Sequence, residues 1–499
     1  MKNKTPYTKL CDLLSQNHAL ETIVRLLEWD LETMMPKEGI HLRAIQIAEL
    51  SQIIHKKKTS SAFEKALSAC ISLKTLKIKE KDLSKREEAS LHLTAEDFKK
   101  NKKLPAKFVK ELTQLKAESS QIWAKAREEN RFEHFQPHLE KMIAMMRKSA
   151  DYIGYDEHPY DALLDQYEPH MTVKTLDKVF KELKTGLIEI TNVLFNRSKA
   201  PSEILSQTVS HDDQLKFCRS ILATLGLSPD IARLDTSSHP FCNSIYSKDI
   251  RLTTSIKPHT FFNAIYSTLH ECGHALYEAG LPYKDFGTPL GEACSLGIHE
   301  SQSRFFETFI GQGKPFIHFL TSKLKGLLPN TDVEKMYEAI NVVEPSFIRI
   351  ESDEVTYCLH VMVRYELEKK LLDGSLKVKD LPKAWNELMK LYFGITPPSD
   401  KEGCLQDIHW SLGLFGYFPT YALGNLYAAQ LHEKLREVHP NFDALVQSGH
   451  FEPIINWLQS HIYQYGREKT PEKLVTDATK KPLSAKPYLH YLKSKYKVS

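Results

Sequence analysis

The chain has 499 residues, 41% of them hydrophobic, with 67 lysines and arginines against 63 aspartates and glutamates for a formal net charge of +4. That balance gives no reason to expect nucleic acid as a partner, and no apolar run approaches the ~20 residues that span a bilayer, so no membrane partner is expected either. Eight scattered cysteines with no Cys-x-x-Cys pair read as reduced thiols, and no apolar signal core follows the basic start at Met1 to Lys4, which together predict a cytoplasmic protein.

Helical periodicity dominates from the start. Leu10, Leu13, Leu14, Leu20, Ile23, Val24 and Leu27 recur at helical spacing, and Ala44, Ile45, Ile47, Leu50 and Ile53 mark a second helix after Pro36. From His55 to Lys116 apolar positions are sparse among Lys and Glu, the pattern of long solvent-facing helices with i,i+4 charge pairs. Pro105 is placed to start a helix through Arg127, and Phe135-Gln-Pro137 opens another to Tyr152. Residues 154–172 read as loop and 211–229 as helix. Strand-like composition is confined to 237–254, which predicts a small antiparallel hairpin whose edge could hold an extended peptide. No linker stands out. Residues 1–499 are therefore read as one domain, in which a helical lobe at about 1–150 packs over a catalytic part at about 230–430.

The proline-free run from Phe261 to Ala279 carries His270-Glu271-Cys-Gly-His274 on a helix with Phe262, Ile265, Leu269 and Leu276 on a buried face. Positions i and i+4 share one helix face, so both imidazoles reach one ion, and a zinc site of this kind needs a third protein ligand and an open position for water. Glu271 lies beside that open position as a general base. Cys272 is off the ligand face and reads as packing. Two carboxylates downstream can complete the set, Glu292 and Glu300. Ile298, Phe305, Phe306, Phe309 and Ile310 outline an amphipathic helix with Glu300 near its start, so Glu300 is the expected ligand, with His299 as its supporting neighbour. Glu292 reads as a solvated or capping carboxylate.

Further clusters follow. Arg349 precedes an apolar helix near Val355, and composition favours an internal salt bridge to Glu351 or Asp353 over a role holding a substrate carboxylate. The glycine- and aromatic-dense segment from Gly403 to Tyr421 suits a pocket wall, where His409 or a tyrosine could stabilise an oxyanion; a buried core histidine fits equally well. His239-Pro-Phe241 and Asp249-x-Arg251-x-Thr253 sit on the hairpin, where a turn with a surface ion pair is the plain reading.

Six motifs in order, at His239, Asp249, His270, His299, Ile348 and Gly403, resemble those of the carboxypeptidase Taq family of metallocarboxypeptidases. Trp29-Asp30-Leu-Glu-Thr33, Pro159-Tyr160-Asp161 and the closing Tyr488 segment are similar to the family too, so the resemblance covers essentially the whole chain. Ser255 and Ala279 depart from its usual residues. The resemblance implies a mainly helical metallopeptidase fold with a small antiparallel sheet beside the His270 helix, a deep central groove and a cytoplasmic homodimer. It also implies release of C-terminal residues from peptides with broad side-chain preference. Carried over, His270, His274 and Glu300 bind one Zn2+ per subunit (Co2+ suits the same donors) and Glu271 is the catalytic base. His239, Arg251 and Arg349 fall to substrate binding, the arginines holding the C-terminal carboxylate, with His409 or Tyr421 assisting the oxyanion. The rival readings are an endopeptidase or aminopeptidase using the same metal, and a peptide-binding protein with a structural ion.

Overall fold

Short polar residues start many of the helices. Thr5, Ser60, Thr172, Ser210, Ser295, Asp332 and Thr470 each accept a backbone N–H of the first turn through the side chain, and Ser84 forms a reciprocal capping box with Glu87. The computed structural model describes residues 5–197, 203–329 and 331–498, so the basic start at Met1 to Lys4 lies outside the described residues. The first helices are α1 (Pro6–Thr33), α2 (Ile40–Lys58), α3 (Ser61–Cys70), α4 (Lys85–Lys103), α5 (Ala106–Glu129), α6 (Phe132–Ile153), α7 (Pro159–Leu164), α8 (Val173–Leu194) and α9 (His211–Thr224). Strands β1 (Ala232–Thr236), β2 (Cys242–Tyr246) and β3 (Asp249–Thr254) follow. Next come α10 (Phe261–Gly280), α11 (Leu296–Arg304, continued by a π-helical turn at Phe305–Ile310), α12 (Lys314–Leu324), α13 (Val333–Ile340), α14 (Tyr357–Asp373) and α15 (Leu381–Phe393). The chain closes with α16 (Pro419–Val438), α17 (Phe442–Ser448), α18 (Glu452–His461), α19 (Pro471–Thr479) and α20 (Lys486–Tyr496).

The fold is mainly α, as expected, but the sheet is mixed rather than antiparallel. β2 and β3 form the expected hairpin, while β1 pairs in parallel on the other side of β3 from Ala232↔Ile250 to Thr236↔Thr254. Two reversals within 23 residues explain this: the chain turns once after β1 and again between β2 and β3, so the outer and central strands point the same way. β1 reads Ala-Arg-Leu-Asp-Thr, too short and charged to announce itself as a strand. The outer edge of β2 is not free. Arg25 on α1 donates to Ser244 O at 3.1 Å, and Asn243 donates from its side chain to Arg25 O at 2.9 Å.

Three helical expectations also shift. α6 begins at Phe132, ahead of Phe135, and carries Pro137 inside it. α7 occupies part of the segment read as loop, and α8 has no counterpart in the sequence reading although Leu176, Phe180, Leu183, Leu187 and Ile190 line its buried face. The Lys/Glu-rich segment is not wholly solvent-facing. Its few apolar residues, Phe63, Leu67, Cys70, Leu91, Ala95 and Phe98, gather with Tyr7 and Leu10 into a second, smaller core. The main core runs from Ala126 on α5 to Val498 and encloses α10, α11, α14 and α16, the elements that carry the site. Between α1, β2 and the loop after α10 lies a cavity of about 890 Å3 whose wall includes Arg25, Phe241, Glu278 and His299.

Candidate metal centre

On α10, Leu269, Cys272 and Ala275 are fully buried and fix which face turns inward. His270 and His274 lie one turn apart with their rings 4.9 Å centre to centre. Gly273 is required between them. A Cβ there would meet Gln302 O at 2.3 Å, so only glycine lets α11 come this close. On the far side of α11, a Cβ at Gly424 of α16 would meet Glu300 Cγ at 2.6 Å. Glu300 is thus wedged between two helices and aimed at the imidazoles.

Glu300 Oε2 lies 3.8 Å from His270 Nε2 and 3.6 Å from His274 Nε2, and one donor atom from each residue fits within a span of 4.8 Å. Donors at about 2.0–2.2 Å from a tetrahedral ion are separated by roughly 3.4 Å, so two nitrogens and a carboxylate oxygen at these spacings fit a zinc-type ion. The opposite ring nitrogens are taken. His270 Nδ1 faces Glu307 Oε2 at 2.8 Å, and Arg304 Nη1 donates to the same oxygen at 2.7 Å. His274 Nδ1 faces His299 Nδ1 at 2.6 Å and His299 O at 3.1 Å, while His299 Nε2 faces Glu278 Oε1 at 2.9 Å. Both Nε2 atoms are thereby left for a ligand role, in the tautomer these partners impose. Glu278 is i+4 from His274 and Glu307 is i+7 from Glu300, so helical spacing held a signal for both supports that the sequence reading did not use.

Electrostatics follow from burial and crowding of carboxylates. Burial lifts the Glu271 carboxyl to about 7, with Glu300 and Glu307 adding to the rise and His270 opposing it. Burial pulls His270 down, but Glu300, Glu307 and Glu271 outweigh it and bring the imidazole to about 9. His274, buried beside His299 and His270, is pushed well below its ordinary value. Glu307 is held at about 2 by Arg304 and His270 in spite of its burial.

A second cluster adjoins the first. Arg349 donates from Nε and Nη2 to Asp407 Oδ1 at 3.2 and 2.9 Å and from Nη1 to Tyr357 OH at 3.1 Å. Asp407 is the partner, not Glu351 or Asp353. Asp353 instead accepts from Val355 N, Thr356 N and Thr356 Oγ1 at the start of α14. Arg364 donates to the other Asp407 oxygen at 2.6 Å. Tyr421 lies under the Arg349 guanidinium at 4.8 Å, with its hydroxyl 3.3 Å from His409 Nε2. Burial lowers His409 to about 4, so it is neutral near pH 7. Arg304, 4.9 Å above the Tyr357 ring, links this cluster to Glu307 and His270.

Of the remaining expected residues, Arg251 and Glu292 have partners of their own. Arg251 forms a two-pronged pair with Asp249 at 2.9 Å and stacks over Trp29 at 4.5 Å, and His239 is exposed on the loop before β2. Glu292 pairs with Arg467 at 3.0 Å, and Cys272 is fully buried.

A mainly helical fold in which a His-Glu-x-x-His helix meets a glutamate from the next helix defines a metallopeptidase-type site. The sequence profile of the carboxypeptidase Taq (M32) metallopeptidase family matches residues 9–496. Carboxypeptidase 1 of Bacillus subtilis (strain 168) is 39% identical over 490 residues, covering 97% of each chain. Thermostable carboxypeptidase 1 of Thermus thermophilus is 36% identical over 511 residues, covering 99% of each. The crystal structure of M32 carboxypeptidase from Deinococcus radiodurans R1 matches with a TM-score of 0.95 at 33% identity, over 99% of both chains. The chain belongs to the carboxypeptidase Taq (M32) family and is a metal-dependent carboxypeptidase.

Proposed function

We propose that His270, His274 and Glu300 hold one catalytic Zn2+ per subunit, and that Glu271 is the general base in releasing C-terminal residues from peptides with broad side-chain preference. The observation that carries this reading is the convergence of two Nε2 atoms on one Glu300 oxygen while every Nδ1 is occupied. The donor set accepts Co2+ as well. When bound, such an ion supplies Lewis-acid chemistry, acidifying a water and polarising a carbonyl. Glu271, with a carboxyl lifted to about 7, is poised to take a proton from the attacking water and pass it to the departing nitrogen. His409, uncharged, and Tyr421, whose hydroxyl is 3.3 Å from His409 Nε2, are assigned to assist the developing oxyanion.

Arg349 is read as the anchor for the substrate carboxylate. A guanidinium has five N–H donors, and three are engaged, which leaves two. Arg349 and Arg364 together share a single carboxylate, Asp407, so the buried cluster carries one unmatched positive charge. A free C-terminus matches it. Arg251 and His239 are assigned outer contacts along the substrate. The reading includes one catalytic domain over 1–499, with a lobe at about 1–150 over the catalytic part. It also includes a cytoplasmic homodimer, supported by the exposed Ile40, Leu42 and Ile45 of α2 and by the eight free cysteines. No helix among the described residues is long and apolar enough to cross a membrane.

Mass spectrometry of one peptide with a free and an amidated C-terminus tests the reading. The free form is expected to shorten from its C-terminus and the amide to persist. Equal cleavage of both would favour an endopeptidase or aminopeptidase, and cleavage within the chain an endopeptidase.

A further inference from the structure

His18 on α1 poses a separate problem. Its side chain is only 9% exposed, yet Nδ1 makes no hydrogen bond. That nitrogen faces two carboxylate oxygens, Glu21 Oε2 at 3.3 Å and Glu292 Oε1 at 4.0 Å, and one donor atom from each of the three residues fits within 4.8 Å. These separations bracket the roughly 3.4 Å expected between donors of a tetrahedral ion, and the 3.6 and 3.8 Å at Glu300 fall within the same range. The other oxygens are already used. Lys58 holds Glu21 Oε1, and Arg467 donates to Glu292 Oε2 at 3.0 Å, so each carboxylate is fixed with its remaining oxygen toward His18. The Phe286 ring meets the imidazole edge-on at 4.8 Å and fixes its plane.

We propose that His18, Glu21 and Glu292 form a second site, for a divalent transition-metal ion of borderline softness, joining α1 to the loop that leads into α11. One imidazole and two carboxylates are the donors that suit zinc-class ions, with water completing the coordination. Lys58, about a third exposed, can turn its ammonium to solvent as the ion's charge arrives. The site lies on the wall of the 890 Å3 cavity that also reaches Glu278 and His299, and it uses none of the residues assigned to catalysis. An ion there ties the N-terminal helices to the catalytic half.

The test is a count of Zn2+ bound by the metal-stripped full-length protein, read by native mass spectrometry and elemental analysis. His18→Gln and Glu292→Gln are each expected to bind one ion fewer than the unmodified chain, as is His270→Ala, and His18→Gln with His270→Ala two fewer. Having two independent variants at the new site guards against one failing to fold. Retention of the full complement by either His18→Gln or Glu292→Gln overturns the proposal. Loss of one ion only in His270→Ala would leave the catalytic assignment intact and exclude the second site.

Discussion

His270 is locked by its neighbours. Nδ1 on Glu307 and Glu307 on Arg304 fix the ring so that Nε2 points at Glu300. Removing a carboxylate that orients a ligand imidazole weakens metal binding by about 10–100-fold. Glu307→Ala is expected to lose Zn2+ affinity by that factor in a chelator competition while keeping its circular dichroism spectrum; an unchanged affinity would remove Glu307 from the centre. At this scale the sequence was informative where spacing is local. His270 and His274 are i and i+4, and Glu300 opens an amphipathic helix, so both were readable. The Arg349–Asp407 pair was not, because it joins residues 58 apart whose approach depends on how α14 and α16 pack. Composition near Arg349 pointed to Glu351 or Asp353, and the helix start had already claimed Asp353.

Between elements, α10, α11 and α16 approach through glycine, and one buried carboxylate fastens the last two. Glu168 accepts from Gly297 N at 3.0 Å and from Tyr427 OH at 2.9 Å, tying the first turn of α11 to α16. Burial raises its carboxyl to about 7 against an ordinary 4.5, even though these donors pull the other way. The folded state therefore binds a proton that the unfolded chain releases, so this group's contribution to stability is full below about pH 4.5 and is lost as pH rises through 7. The shift is worth on the order of 3 kcal/mol. Glu168→Gln lacks this titration, so its unfolding free energy should gain on that of the unmodified chain between pH 4.5 and 7.5. Parallel pH profiles of urea unfolding for the two proteins would show that Glu168 does not titrate this way. The existence of α1, α2 and α10 was legible from periodicity, but α8 and these contacts were not. Gly273 reads as a plain helix interruption until α11 is laid against it.

Over the whole molecule, the C-terminal helix closes the main core. Lys495 of α20 is buried against Glu354, which also accepts from Tyr496 OH at 2.7 Å and Tyr491 OH at 3.2 Å, while Tyr488 OH donates to Glu354 O. Taking one member from a buried ion pair leaves a charge without its partner and costs about 3–5 kcal/mol. Lys495→Met should lower stability by that amount in chemical unfolding; a loss below 1 kcal/mol would mean that the tyrosines alone satisfy Glu354. The second core under α1, α3 and α4 was hidden in the sequence for a related reason. Its apolar residues are few and far apart among lysines, and only the turn at 71–84 brings them together.

The assignment of Glu271 as base beside a three-residue metal site is tested most directly by Glu271→Gln, assayed for both ion content and peptide hydrolysis. The ion is expected to remain at the level of the unmodified protein, because His270, His274 and Glu300 are untouched, while turnover falls by about 10^2–10^4-fold. Retained turnover with the ion in place would contradict the account.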